Sequence, residues 1–356
     1  MTTTVDRRRF MAAAAGTAAA AAAAGVGGEL LIGKRFRVNT SEVRLAPPVA
    51  TPKPLPSGAN LNIPGLSPFF TPDASFYRVD TALVLPVISP SAWSLHIHGM
   101  VDNPMTITFD ELMKMPMIEH DVTLTCVSES VGGPYIGNAR WEGTLLANVL
   151  RRAGIQPGAD QIVMRDINGM TIGVATEPVM DGRASMLAVG MNGIPLPQAH
   201  GFPVRVVVPG LYGYVSACKW VVDMQLTTFG AFDAYWVQRG WSQQAPIKTE
   251  SRIDVPKVGA SLSPGKVAVA GVAWAQHRGI EAVEVYIDGT WYPAKLAAQD
   301  TIDTWRQWYY FWDATPGTHT IKVRATDRTG HTQTAAVHHT EPNGATGYHT
   351  IQVTVT

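Results

Sequence analysis

The hydrophobic pattern changes character at Pro256, and this break decides the architecture. From there to the C-terminus, apolar residues come in short runs: Val267-Ala-Val-Ala, Val283-Glu-Val-Tyr-Ile, Tyr309-Tyr-Phe-Trp, Ile321-Lys-Val-Arg-Ala and Ile351-Gln-Val-Thr-Val. Alternation with a period of two places successive side chains on opposite faces of a strand, which suits a sheet buried on one side. Asp288-Gly289 and Pro316-Gly317 punctuate the runs as tight turns. Short strands spaced this way over roughly 100 residues predict an immunoglobulin-like β-sandwich.

Before the break, strand and helix signals are mixed. Trp93 to His98 alternates apolar and polar positions, and Thr108-x-x-Glu111 has the form of a capping box. Leu145, Leu146, Val149 and Leu150 make a helical stripe that Gly154 closes. Val204 to Val208 and Trp220 to Leu226 read as buried and half-buried strands. The fold class expected is therefore α+β, with a mixed α/β domain over residues 76–255 followed by the sandwich over 256–356. Eight prolines between Ala46 and Pro72 exclude helix interiors there and predict an extended linker or wrapping arm within residues 29–75.

Residues 1–28 read as an address. Asp6-Arg7-Arg8-Arg9-Phe10-Met11 precedes an alanine-rich run to Ala24, the form of a twin-arginine export signal, although alanine also favours an ordinary helix. Export of an already folded chain to an extracytoplasmic compartment is the expectation. Cleavage and retention as a membrane anchor both stand open, because Phe10 to Val26 falls slightly short of the ~20 apolar residues that span a bilayer.

Charge and cysteine usage exclude several classes. Lysine plus arginine equals aspartate plus glutamate at 28 each, so no basic excess exists to follow a nucleic-acid backbone. Two cysteines, Cys126 and Cys218, are too few for a disulfide framework or a cysteine-pair zinc site, though one bridge between them stays formally open. His96 and His98 share one face of a strand and could chelate a metal, but the neighbouring sequence shows no third ligand; a structural or surface role is the favoured reading. His338 and His339 are read the same way.

Alone, Cys126 reads as buried core. Its company changes that reading. Phe76-Tyr-Arg-Val-Asp80 is followed by Trp93-Ser-Leu-His-Ile-His-Gly99, Leu124-Thr-Cys126 and Ile136-Gly-Asn-Ala-Arg-Trp-Glu-Gly143. Then come Gly193-Ile-Pro-Leu-Pro197, His200-Gly-Phe-Pro-Val-Arg205-Val-Val-Val-Pro-Gly210 and Lys219-Trp220. In this order, over roughly residues 69–255, the segments resemble the molybdopterin-binding domain of the sulfite oxidase family, whose second domain the sandwich matches.

The resemblance implies molybdenum with molybdopterin as cofactor and Cys126 as the thiolate ligand of the metal, a soft donor suited to molybdenum. It also implies that Arg78, His200, Arg205, Ser216 and Lys219 join Cys126 in binding the cofactor. The residue types bear this out in part: Arg205, flanked by Val204 and Val206, demands a buried anionic partner, and guanidinium grips phosphate at two points. Lys219 and His200 by themselves would pass for solvated loop residues.

Departures from the family pattern bear on the substrate. The family's Arg-Asn-His run reads Arg78-Val79-Asp80 here, leaving Arg78 to steer a polar substrate. A second arginine past the family's cysteine has no counterpart in Cys126-Val-Ser-Glu-Ser-Val-Gly-Gly133, and Trp241 stands where the family has its catalytic tyrosine. The implied catalytic set is thus Cys126, Arg78 and Trp241, one cation and one phenol short of a tight sulfite site. Arg278 aligns near an arginine that the family's second domain sends toward the site, or is a solvated turn residue. Cys218 reads as a buried spectator. By resemblance, the activity is two-electron oxygen-atom transfer on a small oxoanion or S/N-oxide. With no haem or iron–sulfur motif in the chain, electrons are exchanged with a separate donor or acceptor protein, a cytochrome or a membrane haem subunit. The direction of reaction is open, as is a homodimer through the sandwich. A different class, a cofactor-free exported binding or adhesion protein, is the alternative.

Overall fold

The computed structural model describes residue 40 and residues 43–356; residues 1–28, which carry the expectation of an export signal, lie outside the described residues. In chain order the first ten strands are β1 (Ser94–Gly99), β2 (Met105–Thr108), β3 (Met117–Thr125), β4 (Ile136–Leu145), β5 (Gln161–Asp166), β6 (Thr171–Ala175), β7 (Met186–Met191), β8 (Ile194–Pro195), β9 (Arg205–Val207) and β10 (Val221–Thr227). One sheet runs β2-β1-β10-β5-β6, with β1 and β10 parallel. The other runs β3-β4-β7-β8, and β9 pairs with β7. Leu95 and Ile97 of β1, Met224 of β10 and Val206 of β9 join one continuous core.

Among the described residues, four short α-helices decorate these sheets: α1 (Phe109–Leu112), α2 (Leu146–Ala153), α3 (Thr176–Met180) and α4 (Gly213–Ser216). At α1 the capping box forms as its spacing predicts: the Glu111 carboxylate accepts from Thr108 N at 2.8 Å, and Glu111 N donates back to Thr108 Oγ1. The α2 stripe buries Leu146, Val149 and Leu150 and ends at Gly154 in a left-handed conformation, φ 70°. Helix is nonetheless scarcer than the mixed pattern suggested, and the described chain is mostly β. The apolar stripes last only one or two turns before a cap ends them, so strands carry the core.

The remaining strands are β11 (Glu250–Val255), β12 (Ser261–Leu262), β13 (Gly265–Trp274), β14 (Ile280–Ile287), β15 (Thr290–Pro293), β16 (Lys295–Leu296), β17 (Arg306–Ala314), β18 (Gly317–Asp327) and β19 (His349–Val355). They form two sheets, β11-β13-β17-β16 and β12-β19-β18-β14-β15, over a core that includes Val269, Val285, Trp308, Ile321 and Val353. β11 precedes the pattern break at Pro256 yet pairs with β13, so by its ladder it is part of the sandwich. Asp288 and Gly289 both take positive φ, 45° and 107°, as the two-residue hairpin between β14 and β15 requires.

The sandwich docks on β3, the strand that leads to Cys126. Thr123 N donates to Asp303 O at 3.0 Å, Trp305 N donates to Thr123 Oγ1 at 2.7 Å, and Gln276 Nε2 donates to Thr123 O at 3.0 Å. Asp303 also takes hydrogen bonds from His120 at 2.9 Å and His277 at 3.0 Å; burial alone would raise its pKa, but these contacts prevail and hold it at about 2. Farther back, the proline-rich arm lies along β3, with Glu119 N on Ala50 O and Val49 N on Met117 O, both at 2.8 Å.

Two acids are buried beside this junction. Glu250 of β11 and Glu129, which follows β3, each carry one oxygen without a hydrogen-bond partner. Burial, reinforced by the neighbouring Glu129, lifts Glu250 to about 8, and burial lifts Glu129 to about 7. The folded chain therefore binds protons here that the unfolded chain has released, and its stability falls as pH rises from about 4.5 to about 8. Thermal unfolding followed from pH 5 to pH 8 should show this decline, and Glu250→Gln should flatten it.

Candidate active site

A cavity of about 940 Å³, its open mouth included, brings together residues from six separate segments, among them Tyr77, Cys126, Arg205, Lys219 and Trp241. Cys126 stands one residue beyond the end of β3, in a turn where Cys126 N donates to Tyr135 O at 2.9 Å and Glu129 N to Cys126 O at 3.0 Å. The thiol is 7% exposed and receives Ser128 N at 3.4 Å. Burial raises its pKa, against the pull of that N–H, so without a metal the sulfur keeps its proton.

Arg205 and Lys219 meet through backbone pairing. They face each other in an antiparallel bridge, and Val206 N donates to Cys218 O at 2.8 Å. Directly opposed residues present side chains to one face, so the register that sends Cys218 into the core sends both cations to the cavity. Gly201 permits the approach of the preceding turn: its φ is 110°, and a Cβ there would lie 2.9 Å from Arg205 Cβ. Trp220 also takes a left-handed φ, 52°, anchored by its indole N–H on Gln198 O at 3.1 Å.

Arg205 is a buried cation with no carboxylate partner among the described residues. It donates to His200 O at 3.1 Å and lies over the Trp141 ring at 4.9 Å. Desolvation lowers its pKa to about 10, which leaves it charged at neutral pH. The anionic partner that its apolar setting demands is therefore not supplied by the described residues. Lys219 is brought down to about 8, by burial first and by Arg205 and Arg78 against the opposing pull of Asp80, whose Oδ2 receives its ammonium at 2.6 Å.

The other residues singled out in the sequence occupy several settings. His200 lines the cavity, donating Nε2–H to Asp73 O at 3.0 Å; burial takes its pKa down to about 4, so it is neutral and its Nδ1 is an acceptor. Trp241 lines the cavity mouth with its ring 5.7 Å from that of Tyr214. Arg78 is not among the lining residues; its guanidinium is turned onto Asp80 at 2.7 Å and onto Ala82 O at 3.2 Å. Ser216 is fully buried and donates to Leu211 O and Tyr212 O, just before the start of its own short helix, both at 3.0 Å. Arg278 is held at the domain junction by Asp327 at 2.9 Å and Ile247 O at 2.8 Å. Both cysteines are free thiols.

Three residues of the site escaped sequence reasoning. Asp80 fastens Arg78 and Lys219 at once; burial would raise its pKa, but the two cations hold it below the usual carboxylate range. Its position two residues from Arg78 on an extended segment was the available signal. Tyr77 is half-buried at the cavity wall, where desolvation and then Cys126 push its pKa up, so the phenol stays protonated. Glu129 reaches back through its carboxylate to Tyr135 N and shapes the turn beneath Cys126.

Known proteins share this arrangement. Residues 82–236 match the oxidoreductase molybdopterin binding domain, and residues 250–323 match a bacterial Ig domain. Mitochondrial sulfite oxidase of Homo sapiens is 30% identical over 290 residues, covering 67% of this chain and 52% of that protein. The chain thus spans about half the length of the sulfite oxidases it matches. An uncharacterized oxidoreductase of Bacillus subtilis (strain 168), YuiH, is 30% identical over 149 residues, which are 42% of this chain and 72% of that protein. In three dimensions, the sulfane dehydrogenase SoxCD from Paracoccus pantotrophus superposes with a TM-score of 0.69 at 23% identity, covering 80% of this chain and 81% of that one, and shows the fold. Fold and matched domain define a molybdopterin-binding oxidoreductase. The chain belongs to the sulfite oxidase family.

The residues present fit the cofactor that this family implies. A soft sulfur donor and a buried guanidinium with no carboxylate partner among the described residues lie in one cavity, the first suited to the metal and the second to a phosphate. A residue retained for a ligand rather than for the fold has a distinct signature. Arg205→Met should leave the cofactor-free chain no less stable, because it removes an uncompensated buried charge. The same variant should retain pterin only at background level. Denaturant unfolding of the cofactor-free chain and fluorescence of released pterin measure the two effects.

Proposed function

We propose that this protein uses molybdenum–molybdopterin for two-electron oxygen-atom transfer on a small oxoanion or S/N-oxide, exchanging electrons with a separate redox protein. The observation that carries the reading is the convergence of Cys126 with Arg205, a buried cation lacking a carboxylate partner among the described residues, in one cavity. When bound, the cofactor supplies the two-electron redox chemistry at its metal. Cys126 would hold the metal as thiolate, and Arg205 and Lys219 would hold the phosphate. His200, neutral and anchored on Asp73 O, would set the wall beside them rather than add a third positive charge.

Charge at the mouth favours neutral S- or N-oxides over a dianion. Arg78, the cation left for the substrate, is already paired with Asp80, while Val79, Trp236 and Trp241 present apolar surface. Tyr77 offers a protonated hydroxyl at the cavity wall, a candidate donor to an oxide oxygen. The twin-arginine form of residues 6–11 supports an extracytoplasmic location for this chemistry. A soluble cytochrome or a membrane haem subunit is the partner class proposed, since the chain contains no haem attachment motif.

Metal analysis separates this reading from a cofactor-free binding protein. The full chain made in a host that synthesises molybdopterin should contain stoichiometric molybdenum. Cys126→Ser should lose the metal and turn over no substrate in a screen of sulfite, S-oxides and N-oxides with artificial electron donors and acceptors. Absence of molybdenum from the wild-type chain, or its full retention in Cys126→Ser, would sink the proposal.

A further inference from the structure

Outside the cavity, the first sheet gathers two imidazoles and a carboxylate at one point on its outward face. His96 and His98 are two apart on β1, with Leu95 and Ile97 directed into the core between and before them. β10 lies parallel to β1 with His96 opposite Asp223, which brings in a residue remote in the sequence. His98 Nε2 lies 3.0 Å from Asp223 Oδ2, and His96 Nδ1 lies 3.4 Å from the same oxygen. The rings stack 4.5 Å apart and 10° from parallel, and the three candidate donor atoms lie within 4.8 Å of one another.

We infer that His96, His98 and Asp223 form a binding site for a divalent first-row transition-metal ion of the zinc or copper type, separate from the molybdenum centre. Two imidazoles and one carboxylate are the donor set such ions accept, whereas magnesium and calcium prefer oxygen alone. An ion with ligands at about 2.0–2.1 Å holds neighbouring donors about 3.3 Å apart in tetrahedral geometry, close to the two contacts on Asp223 Oδ2. Strand pairing fixes all three Cα positions, so the donors are already convergent. Arg165 of β5 stands 3.8 Å from the other carboxylate oxygen, Oδ1, where it orients the carboxylate and leaves Oδ2 to face the rings. The His96 side chain is 52% exposed, so an ion bound there would keep open positions toward solvent, available to water or to a ligand from another molecule.

The untagged full-length protein with its cofactor should bind Zn²⁺ at a single site in isothermal titration and give Co²⁺ absorption bands. Its thermal midpoint should rise with free Zn²⁺. His96→Gln and Asp223→Asn should each weaken binding at least about ten-fold, the loss that even outer-shell changes produce at such sites. Molybdenum content should stay unchanged, which also reports that the variants fold. If Asp223→Asn fails that check, the largely exposed His96→Gln decides. The double variant His338→Gln/His339→Gln should bind as the wild type does. No Zn²⁺ binding by the folded wild-type chain, or equal binding in His96→Gln, overturns the assignment.

Discussion

A buried guanidinium without an acid beside it is the constraint around which the cavity is organised. Taking a charge out of water costs several kcal/mol even after relaxation, and an apolar residue in the same ladder would avoid that. The neighbourhood of Arg205 is arranged to tolerate the charge in other ways: the His200 carbonyl accepts from it, the Trp141 ring lies beneath it, and His200 itself remains neutral. Asp80, a carboxylate that lines the same cavity, is directed to Lys219 and Arg78 instead. The fold therefore leaves one positive charge uncommitted while neutralising those around it. This pattern belongs to a binding site, where local stability yields to function.

Convergence is achieved by strand ends and register rather than by any long element. Cys126 is delivered by β3, Arg205 by β9, Lys219 by the segment paired with β9, and Trp241 by the loop beyond β10. A one-residue slip in the Arg205–Lys219 pairing would invert the slipped segment and turn one of the two cations into the core. The closeness of the turn at Gly201 guards that register, since any side chain there would press on Arg205.

The sandwich was legible because a period of two survives in strands such as β18 and β19, and the hairpin at Asp288-Gly289 carries its turn chemistry openly. The helix around Leu146 was legible in both type and extent, because its apolar stripe runs into Gly154, which closes it. In the cavity, Arg205 announced itself through its apolar flanks, whereas His200 and Lys219 gained meaning only from a family resemblance. Arg78 looked like a free cation until the extended backbone put Asp80 within reach. Asp223 was beyond reading as a partner of His96 and His98, because a parallel crossover between β1 and β10 leaves no local trace in sequence. Tyr77 and Glu129 depend on burial, which no short motif encodes.

The strand that presents Cys126 lies at the end of its sheet order, so one side of its backbone has no neighbouring β-strand to receive it. That side is instead covered by borrowed groups: Val49 and Ala50 from the proline-rich arm, and Asp303 from the sandwich loop. An uncovered edge of this kind would pair readily with another chain. The arm and the second domain thus act as edge guards as well as scaffolding. Loss of either would expose a sticky ribbon beside the thiol and favour aggregation before it altered the chemistry.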